Sequence, residues 1–258
     1  MKKKAKEYLG KIKSSSNLLL MIINQILEMA RIESGTAVLQ LKAEDIDALF
    51  HRVNTVFEED IRKKNLQYHA DLDIRHHYVV CDQTKLQEIM LNIISNAIKY
   101  TPEGHSIHVE IHEAASENPS KIHYIFSCED TGIGMSEEYL PHVYEEFSRE
   151  HTTTENKVQG TGLGLSIIKS MIELMGGSIQ VESRQHIGTK FTVDFSFDIA
   201  SKEEVYGNQN ALKPPAIHTI KGTRILLVED NELNAEIAKT VLEDVGALIT
   251  RVKMDSRQ

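Results

Sequence analysis

The strongest constraint on the fold is a change of hydrophobic period in the middle of the chain. Between Asp82 and Tyr100, apolar residues recur every three to four positions, which predicts a helix with one buried face. A second helical pattern runs over 163–175. Strict alternation with period two predicts half-buried strands at 107–111, 122–128 and 191–197. Helices interleaved with turn-connected strands predict an α+β fold, a two-layer α/β sandwich with its helices on one face of the sheet.

Further elements are predicted on both sides of this region. Residues 8–32 carry a wide apolar stripe at helical spacing, which is typical of a helix packed in a bundle. Another helix is predicted at 45–64. The period disappears over 201–222, which is rich in Gly, Asn, Pro and Lys and reads as a linker. A buried-type strand at 224–228 and a helix at 234–245 follow it, as in the start of an α/β domain.

Composition excludes several classes of protein. The 258 residues include 29 basic and 38 acidic side chains, and the formal net charge of -9 argues against a nucleic acid partner. No run approaches the ~20 apolar residues that span a bilayer. The two cysteines, Cys81 and Cys128, lack the spacing of a zinc site or a disulfide framework, which indicates a reducing compartment such as the cytoplasm.

Three polar or glycine-containing segments are candidates for chemistry. Asn92 and Asn96 are four residues apart, so their amides project from one face of an otherwise apolar helix. Such a pair is costly to bury unless it has partners, and a hydrated Mg2+ with phosphate oxygens would supply them. The segment 130–135 follows a strand and 160–165 precedes a helix, where glycines let the backbone approach a phosphate. Neither segment has the spacing of a dinucleotide fingerprint or a phosphate loop.

Taken in order, the segments 91–100, 130–134, 144–147 and 160–165 resemble the N, G1, F and G2 boxes of sensor histidine kinases, within the GHKL superfamily. The resemblance implies an ATP-binding catalytic domain at 45–200. It implies that 1–36 is the second helix of the dimerisation and histidine-phosphotransfer hairpin, whose first helix is missing. It also implies that 201–222 is a linker and that 223–258 is the truncated start of a receiver domain, as in hybrid kinases.

The resemblance assigns roles to polar residues of the catalytic domain. Asn92 would coordinate Mg2+, while Asn96 and Lys99 would reach the phosphates of ATP. Tyr100 would pack beside the adenine, and Asp130 would accept a hydrogen bond from its amino group. Glu88, Lys99 and Arg149 are the candidate catalytic residues. ATP and Mg2+ are therefore the predicted cofactors.

The remaining assignments concern glycines and their neighbours. Gly132 and Gly134 would leave room for the base, and Thr189 would line the adenine pocket. Gly160, Gly162 and Gly164 would hold a lid, 148–159, against the triphosphate. Further nucleotide contacts are predicted at Phe147, Thr161, Leu163 and Leu165.

Two departures from the family pattern limit what the chain is expected to do alone. None of the 12 histidines has the sequence context of a phosphoryl acceptor, and the helix that carries it is expected before Met1. Glu229 and Asp230 match the acidic metal-binding pair of a receiver, but the phospho-accepting aspartate is expected beyond Gln258. Autophosphorylation by this chain alone is therefore not expected.

These residues predict the catalytic core of a hybrid sensor histidine kinase in a two-component phosphorelay, transferring the γ-phosphoryl of ATP to a histidine outside the chain. Its expected partners are a second copy bound through the helical hairpin and a receiver domain or response regulator. A cytoplasmic location is expected, with the parent protein anchored to the inner membrane through upstream segments. Two alternatives remain open: an ATPase that uses Glu88 as the base, and a non-catalytic ATP-binding dimerisation module.

Overall fold

The computed structural model describes residues 2–114, 116–150, 161–207, 222–229 and 232–252. The chain divides into two compact units, Met1–Val205 and Tyr206–Gln258. In the described part of the first unit the helices are α1 (Lys2–Glu33), α2 (Ile46–Thr55), α3 (Glu58–Lys63), α4 (Gln83–Tyr100), α5 (Gly164–Leu174) and α6 (Lys202–Tyr206), the last of which crosses the boundary between the units. Its strands are β1 (Lys42–Asp45), β2 (Gln67–Asp73), β3 (Tyr78–Cys81), β4 (Ser106–Ala114), β5 (Lys121–Asp130), β6 (Ser178–Arg184) and β7 (Gly188–Ile199).

The described strands of the first unit form one seven-stranded mixed sheet. Its order is β1-β3-β7-β5-β4-β2, and β6 pairs with β7 off this path. The β2–β4 pair is parallel and the others are antiparallel. Asp130, at the end of β5, is the register partner of Thr189 near the start of β7. This pairing brings two segments that are far apart in sequence to one edge of the fold.

The core lies between one face of the sheet and the helices α2, α4 and α5. The predicted apolar face of α4 is buried, and Ile93 and Ile94 are fully inaccessible to solvent. Alternate residues of β5 and β7, including Phe126 and Phe195, complete the core from the sheet side. Each large apolar side chain buried in this way contributes about 1.5–3 kcal/mol to folding. The predicted two-layer α/β sandwich is confirmed.

The predicted helix at 45–64 is in fact two helices. Asp45 caps α2 by accepting a hydrogen bond from the Ala48 amide at 2.9 Å. Helix α2 ends at Thr55. Phe57, the residue that precedes α3, is 7% exposed and lies in the core. The hydrophobic patterns also did not predict β1, β2, β3 and β6. Of these, β1 and β3 have only four residues each, and β2 and β6 each have only one paired side in the sheet.

Helix α1 contacts the sandwich through its C-terminal half. Met29 and Ile32 pack against the core, and the Oγ of Ser170 on α5 lies 4.0 Å from the Met29 sulfur. Large apolar side chains elsewhere on α1 are exposed, namely Leu19, Leu20, Ile23, Ile26 and Leu27. Gly35, with φ of 65°, follows the helix in the left-handed conformation in which many helices end. The helix therefore has one packed region and one uncovered apolar stripe.

The described part of the second unit comprises β8 (Arg224–Val228), α7 (Glu232–Asp244) and β9 (Leu248–Val252). The strands β8 and β9 pair in parallel, which is the arrangement that a strand-helix-strand crossover produces. Ala235 and Ala247 are its buried apolar residues among those described. Within the described ranges, no helix of either unit combines the length and the apolar character that crossing a membrane requires.

Candidate nucleotide-binding site

A cavity of about 330 Å³ opens between α4, the loop after β5 and the start of α5. Many of the residues predicted to bind nucleotide line it together: Asn92, Asn96, Lys99, Tyr100, Asp130, Gly134, Arg149, Thr161, Gly162, Gly164, Leu165 and Thr189. They come from five segments that are separated along the chain. The sandwich therefore assembles one polar pocket at the end of its core.

One end of the cavity is built around Asp130. Its carboxylate is 7% exposed and accepts hydrogen bonds from the Gly132 amide, at 2.8 Å, and from the Thr189 amide. Burial nevertheless raises the pKa of Asp130 to about 6. The Thr189 hydroxyl lies 2.8 Å from that of Ser183 on β6. A buried carboxylate fixed by two amides is well suited to accept a hydrogen bond from an exocyclic amine, such as that of adenine.

The loop after β5 approaches the rest of the chain more closely than a side chain would allow. Gly134 has φ of 62°, and a Cβ atom there would lie 2.0 Å from the Arg184 carbonyl oxygen. The loop therefore rests on the β6–β7 turn with only backbone between them. Its amides stay next to Asp130, so the floor of the cavity has a fixed shape.

The opposite side of the cavity is formed by the polar face of α4. The Asn96 Nδ2 atom donates a hydrogen bond to the Asn92 Oδ1 atom at 3.2 Å. Lys99 follows one turn later, with its ammonium 4.9 Å from the centre of the Tyr100 ring. Amide oxygens are hard ligands that suit Mg2+, and a lysine is a mobile point charge for phosphate oxygens. The donor set fits a magnesium nucleotide.

The electrostatics of this side favour an anion. Burial and then the nearby Arg149 guanidinium lower the pKa of Lys99. Burial raises the pKa of Tyr100, so its phenol stays neutral and presents a hydroxyl and an aromatic face. Lys99 and Arg149 lie close enough to repel each other, and a bound polyphosphate would offset this repulsion.

The N-terminus of α5 contributes backbone rather than side chains. The Leu163 amide donates to the Thr161 hydroxyl at 3.2 Å, and Gly164 is the first helical residue. A Cβ atom at Gly164 would lie 3.1 Å from both polar atoms of the Asn92 amide. Glycine therefore lets α5 start against Asn92 with its amides directed at the site, an arrangement that attracts phosphate.

Other predicted site residues lie beside the cavity or elsewhere. Gly132 borders Asp130, and Leu163 is buried in the core. Phe147 is 63% exposed and has φ of 59°, while its backbone packs against Gly162. Glu88 lines an adjacent shallow groove together with Asn92.

Some predictions cannot be placed in this site. Gly160, residues 151–159 of the predicted lid and Asp230 lie outside the described residues. Glu229 follows β8 in the second unit and directly precedes Asp230. Their proposed roles therefore stay predictions.

Glu88 has an electrostatic setting of its own. Its side chain is about half exposed, and its Oε2 atom lies 3.8 Å from the Lys85 ammonium. Burial is the main reason that the pKa of Glu88 is raised, with Glu28 and Asp82 adding to the effect. Lys85 forms a closer pair with Glu28 of α1, at 2.5 Å.

The structure also brings residues to the cavity that sequence reasoning missed. They are Gln25, Ser95, Ala97, Ile133, Met135, Tyr139, Val143 and Phe191. Gln25 belongs to α1, and its Oε1 atom accepts a hydrogen bond from the Thr161 hydroxyl at 3.2 Å. Nothing in the sequence signals this contact, because it depends on where α1 packs. Ser148 and Glu150 also line the cavity, and both belong to the segment predicted as a lid, 148–159.

Residues 81–199, somewhat less than half of the chain, match the family described as histidine kinase-, DNA gyrase B-, and HSP90-like ATPase. The fold of this region agrees with that of histidine kinase catalytic domains.

Among particular proteins, the chain is 30% identical over 244 residues to the autoinducer 2 sensor kinase/phosphatase LuxQ of Vibrio cholerae. The alignment covers 93% of this chain but only 28% of that protein. The chain thus spans less than a third of this relative.

Solved structures show the same fold. The crystal structure of full-length ShkA in complex with AMPPNP superposes with a TM-score of 0.63 and 21% identity, covering 97% of this chain and 49% of that one. Histidine kinase ThkA, in its complex with the response regulator protein TrrA, gives a TM-score of 0.51 and 25% identity, with 70% of this chain and 48% of that one covered.

Proposed function

We propose that this chain binds ATP with Mg2+ and transfers the γ-phosphoryl group to a histidine that lies outside it. The observation that carries the proposal is the polarity of the cavity. A buried carboxylate, Asp130, stands at one end, and a cationic, amide-rich surface with Lys99 and Arg149 stands at the other. A molecule that fits both ends has an amino-bearing base and a polyphosphate.

The base end would provide specificity and the phosphate end would provide rate. Asp130 would accept the adenine amino proton, with Thr189 beside it and Tyr100 against the ring. Asn96, Lys99 and the α5 amides would hold the phosphates in line for transfer. Phosphoryl transfer depends mainly on positioning and charge neutralisation, and these groups would supply both.

Asn92 would hold the metal. Magnesium would neutralise charge on the phosphate oxygens when bound. The Asn92 oxygen already accepts one hydrogen bond, from Asn96, and its second lone pair is suited to a hard cation. Arg149 would add a positive charge from the beginning of the predicted lid.

The rest of the chain fits a hybrid kinase. We propose that 1–36 is the second helix of a dimerisation and phosphotransfer hairpin and that its exposed apolar stripe binds a second copy. We assign 45–200 to the catalytic domain, 201–222 to a linker and 223–258 to the start of a receiver, with Glu229 and Asp230 in its metal-binding pair. A receiver domain or response regulator would then take the phosphoryl group from the histidine.

The proposed location follows from the substrate. ATP is available in the cytoplasm, and the predicted reduced state of the two cysteines agrees with that compartment. Both Cys81 and Cys128 are buried and unpaired. Attachment of the parent protein to the inner membrane, through segments upstream of this chain, is part of the same proposal.

One observation favours a second activity, ATP hydrolysis. Glu88 lies in the groove that also contains Asn92, and its raised pKa is closer to neutral pH than that of an ordinary glutamate. A general base works best when its pKa is near the working pH. Glu88 is therefore the candidate base for activating a water molecule.

One experiment distinguishes the possibilities. The chain is incubated with γ-labelled ATP and Mg2+, with and without a polypeptide that carries a histidine-bearing acceptor hairpin. Acid-labile label on the hairpin supports the kinase. Free phosphate in the absence of the hairpin, abolished by Glu88→Gln, supports the ATPase instead. Nucleotide binding with neither product leaves a non-catalytic dimerisation module.

Two control variants sharpen this test. Asn92→Ala should lose the kinase product, because it removes the proposed metal ligand. Thr84→Ala, on an exposed part of the same helix, should retain it. A labelled hairpin in the Asn92→Ala reaction would contradict the proposed site.

A further inference from the structure

Lys64 forms an unusual set of contacts at the end of α4. Its ammonium donates hydrogen bonds to the carbonyl oxygens of Ile98, Lys99 and Thr101, at 2.7, 3.1 and 3.0 Å. Lys64 is the first residue after α3, far from this helix in sequence. All three donors of one lysine are thus directed at the last turn of the helix that carries the proposed phosphate ligands.

These contacts satisfy groups that a helix leaves without partners. The last carbonyls of an α-helix have no intrahelical donor and carry partial negative charge, so a cation is favourable there. Lys64 is partly buried, and this burial lowers the pKa of its ammonium. The Lys64 carbonyl in turn accepts a hydrogen bond from the Gly104 amide at 3.2 Å, in the turn after α4. Lys64 therefore holds this turn by its side chain and by its backbone.

The same turn supports both ends of the nucleotide cavity. It contains Lys99 and Tyr100, which face the phosphate and base sides. The Tyr100 carbonyl oxygen accepts a hydrogen bond from the Ile133 amide at 3.2 Å. A Cβ atom at Gly132 would lie 2.6 Å from that oxygen, so the loop next to Asp130 rests directly on the turn. A displacement of the turn would move both binding surfaces.

We propose that Lys64 is a positioning residue for nucleotide binding, which fixes the last turn of α4 so that Lys99 and the loop at Gly132 are held in register with each other. This inference rests on the proposed ATP-binding function. Lys64 itself is absent from the lining of the cavity and would act only through the turn.

The neighbouring Lys63 provides a matched control. Its ammonium pairs with Glu59 on the solvent side of α3 at 2.8 Å, and both side chains are more than 60% exposed. Substitution of Lys63 removes the same charge one residue away without touching α4. Any effect of net charge on ATP affinity would therefore appear in both variants.

The experiment measures Mg-ATP affinity by calorimetry, at a temperature where circular dichroism shows each variant to be folded. Lys64→Met is expected to weaken binding about tenfold, whereas Lys63→Met changes it by less than about twofold. The decisive test is a double-mutant cycle with Lys99→Ala. Lys99→Ala should cost about tenfold in the wild-type chain and less than about threefold in the Lys64→Met background, since the lysine is no longer held in place.

A purely structural role would lower the melting temperature of Lys64→Met while leaving the affinity of the folded variant unchanged, and that result would overturn the inference. Additive effects of the two substitutions would overturn it as well. If Lys64→Met does not fold, Lys64→Gln, which keeps part of the donor capacity, undergoes the same two comparisons. Failure of the wild-type chain to bind ATP would instead refute the proposed function.

Discussion

The amide nitrogen of Asn96 lies 3.2 Å from the amide oxygen of Asn92, one turn earlier on α4. This hydrogen bond fixes the orientation of the Asn92 amide before any ligand arrives. It also leaves the second Asn96 amide hydrogen and the second lone pair of the Asn92 oxygen available to a ligand. The two asparagines thus form a preorganised polar unit on a helix that is otherwise apolar on its buried face.

The first prediction tests this unit. Asn92→Ala should weaken Mg-ATP binding by at least about tenfold, equivalent to about 1.4 kcal/mol. Binding of ATP without Mg2+ should change by less than about threefold, because the proposed loss is that of a metal ligand. Titration calorimetry with and without EDTA measures both, and Thr84→Ala is the control. An equal loss in the two conditions would mean that Asn92 contacts the nucleotide and not the metal.

A second prediction concerns the pH dependence of binding. Burial raises the pKa of Asp130 to about 6, and only its ionised form offers a carboxylate to the adenine amino group. ATP affinity should therefore fall as the pH decreases through about 6, approaching tenfold per unit at lower pH. Asp130→Asn should bind more weakly at pH 8, and only the residual slope from titration of the phosphates should remain. Equal slopes in the two proteins would contradict the role assigned to Asp130.

The same carboxyl group should affect stability in the opposite direction. Its pKa in the folded chain exceeds the ordinary value of 3.8, so ionisation disfavours the folded state. The stabilising contribution of the protonated form is complete below about 3.8 and is lost as the pH rises through about 6. As the pH rises over this range, the unfolding free energy of the wild type should therefore decrease relative to that of Asp130→Asn. Urea unfolding of the nucleotide-free proteins at pH 5 and 7 measures the shift.

A pair of glycines predicts opposite outcomes. Gly164→Ala would place a methyl group 3.1 Å from the Asn92 amide, so Mg-ATP affinity should fall severalfold, with little loss of melting temperature at this helical position. Gly176→Ala meets no atom within 4 Å but must adopt φ of 75°, which costs about 1 kcal/mol of stability. It should lower the melting temperature and leave affinity unchanged. Loss of Mg-ATP affinity in Gly176→Ala but not in Gly164→Ala would contradict the roles assigned to the two glycines.

The contact between α1 and the catalytic domain gives a further prediction. Glu28 and Lys85 form an ion pair at 2.5 Å, and both side chains are only 20% exposed. Glu28→Gln leaves the lysine with its more distant neighbour Glu88, and the expected loss is about 1–3 kcal/mol of α1 docking. Amide hydrogen exchange over residues 22–33 should become faster. Glu33→Gln, an exposed substitution on the same helix, should leave exchange unchanged.

The core elements could be predicted because their patterns are local. In α4 the apolar period of three to four residues corresponds to the buried face, from Leu86 to Ile98. In β5 and β7 the alternation of Phe126, Phe195 and their neighbours corresponds to the side of the sheet that faces the helices. Burial on one face imposes these periods directly, so they can be recognised without knowledge of the partners.

Elements whose limits depend on packing could not be predicted in the same way. The break after Thr55 in the segment expected to be one helix is set by the burial of Phe57. The short strand β1 exists only through its pairing with β3. Neither feature has a periodic signal of its own.

For this protein the sequence alone determined the identity and order of the motifs, and with them the asparagine pair and Asp130 as the chemical groups of interest. It did so because amide, carboxylate and glycine positions are encoded residue by residue. Tertiary structure decided which distant groups support them: Gln25 of α1 at Thr161, and Lys64 under the last turn of α4. These contacts join segments that become neighbours only when the helices pack on the sheet, so no local pattern can predict them.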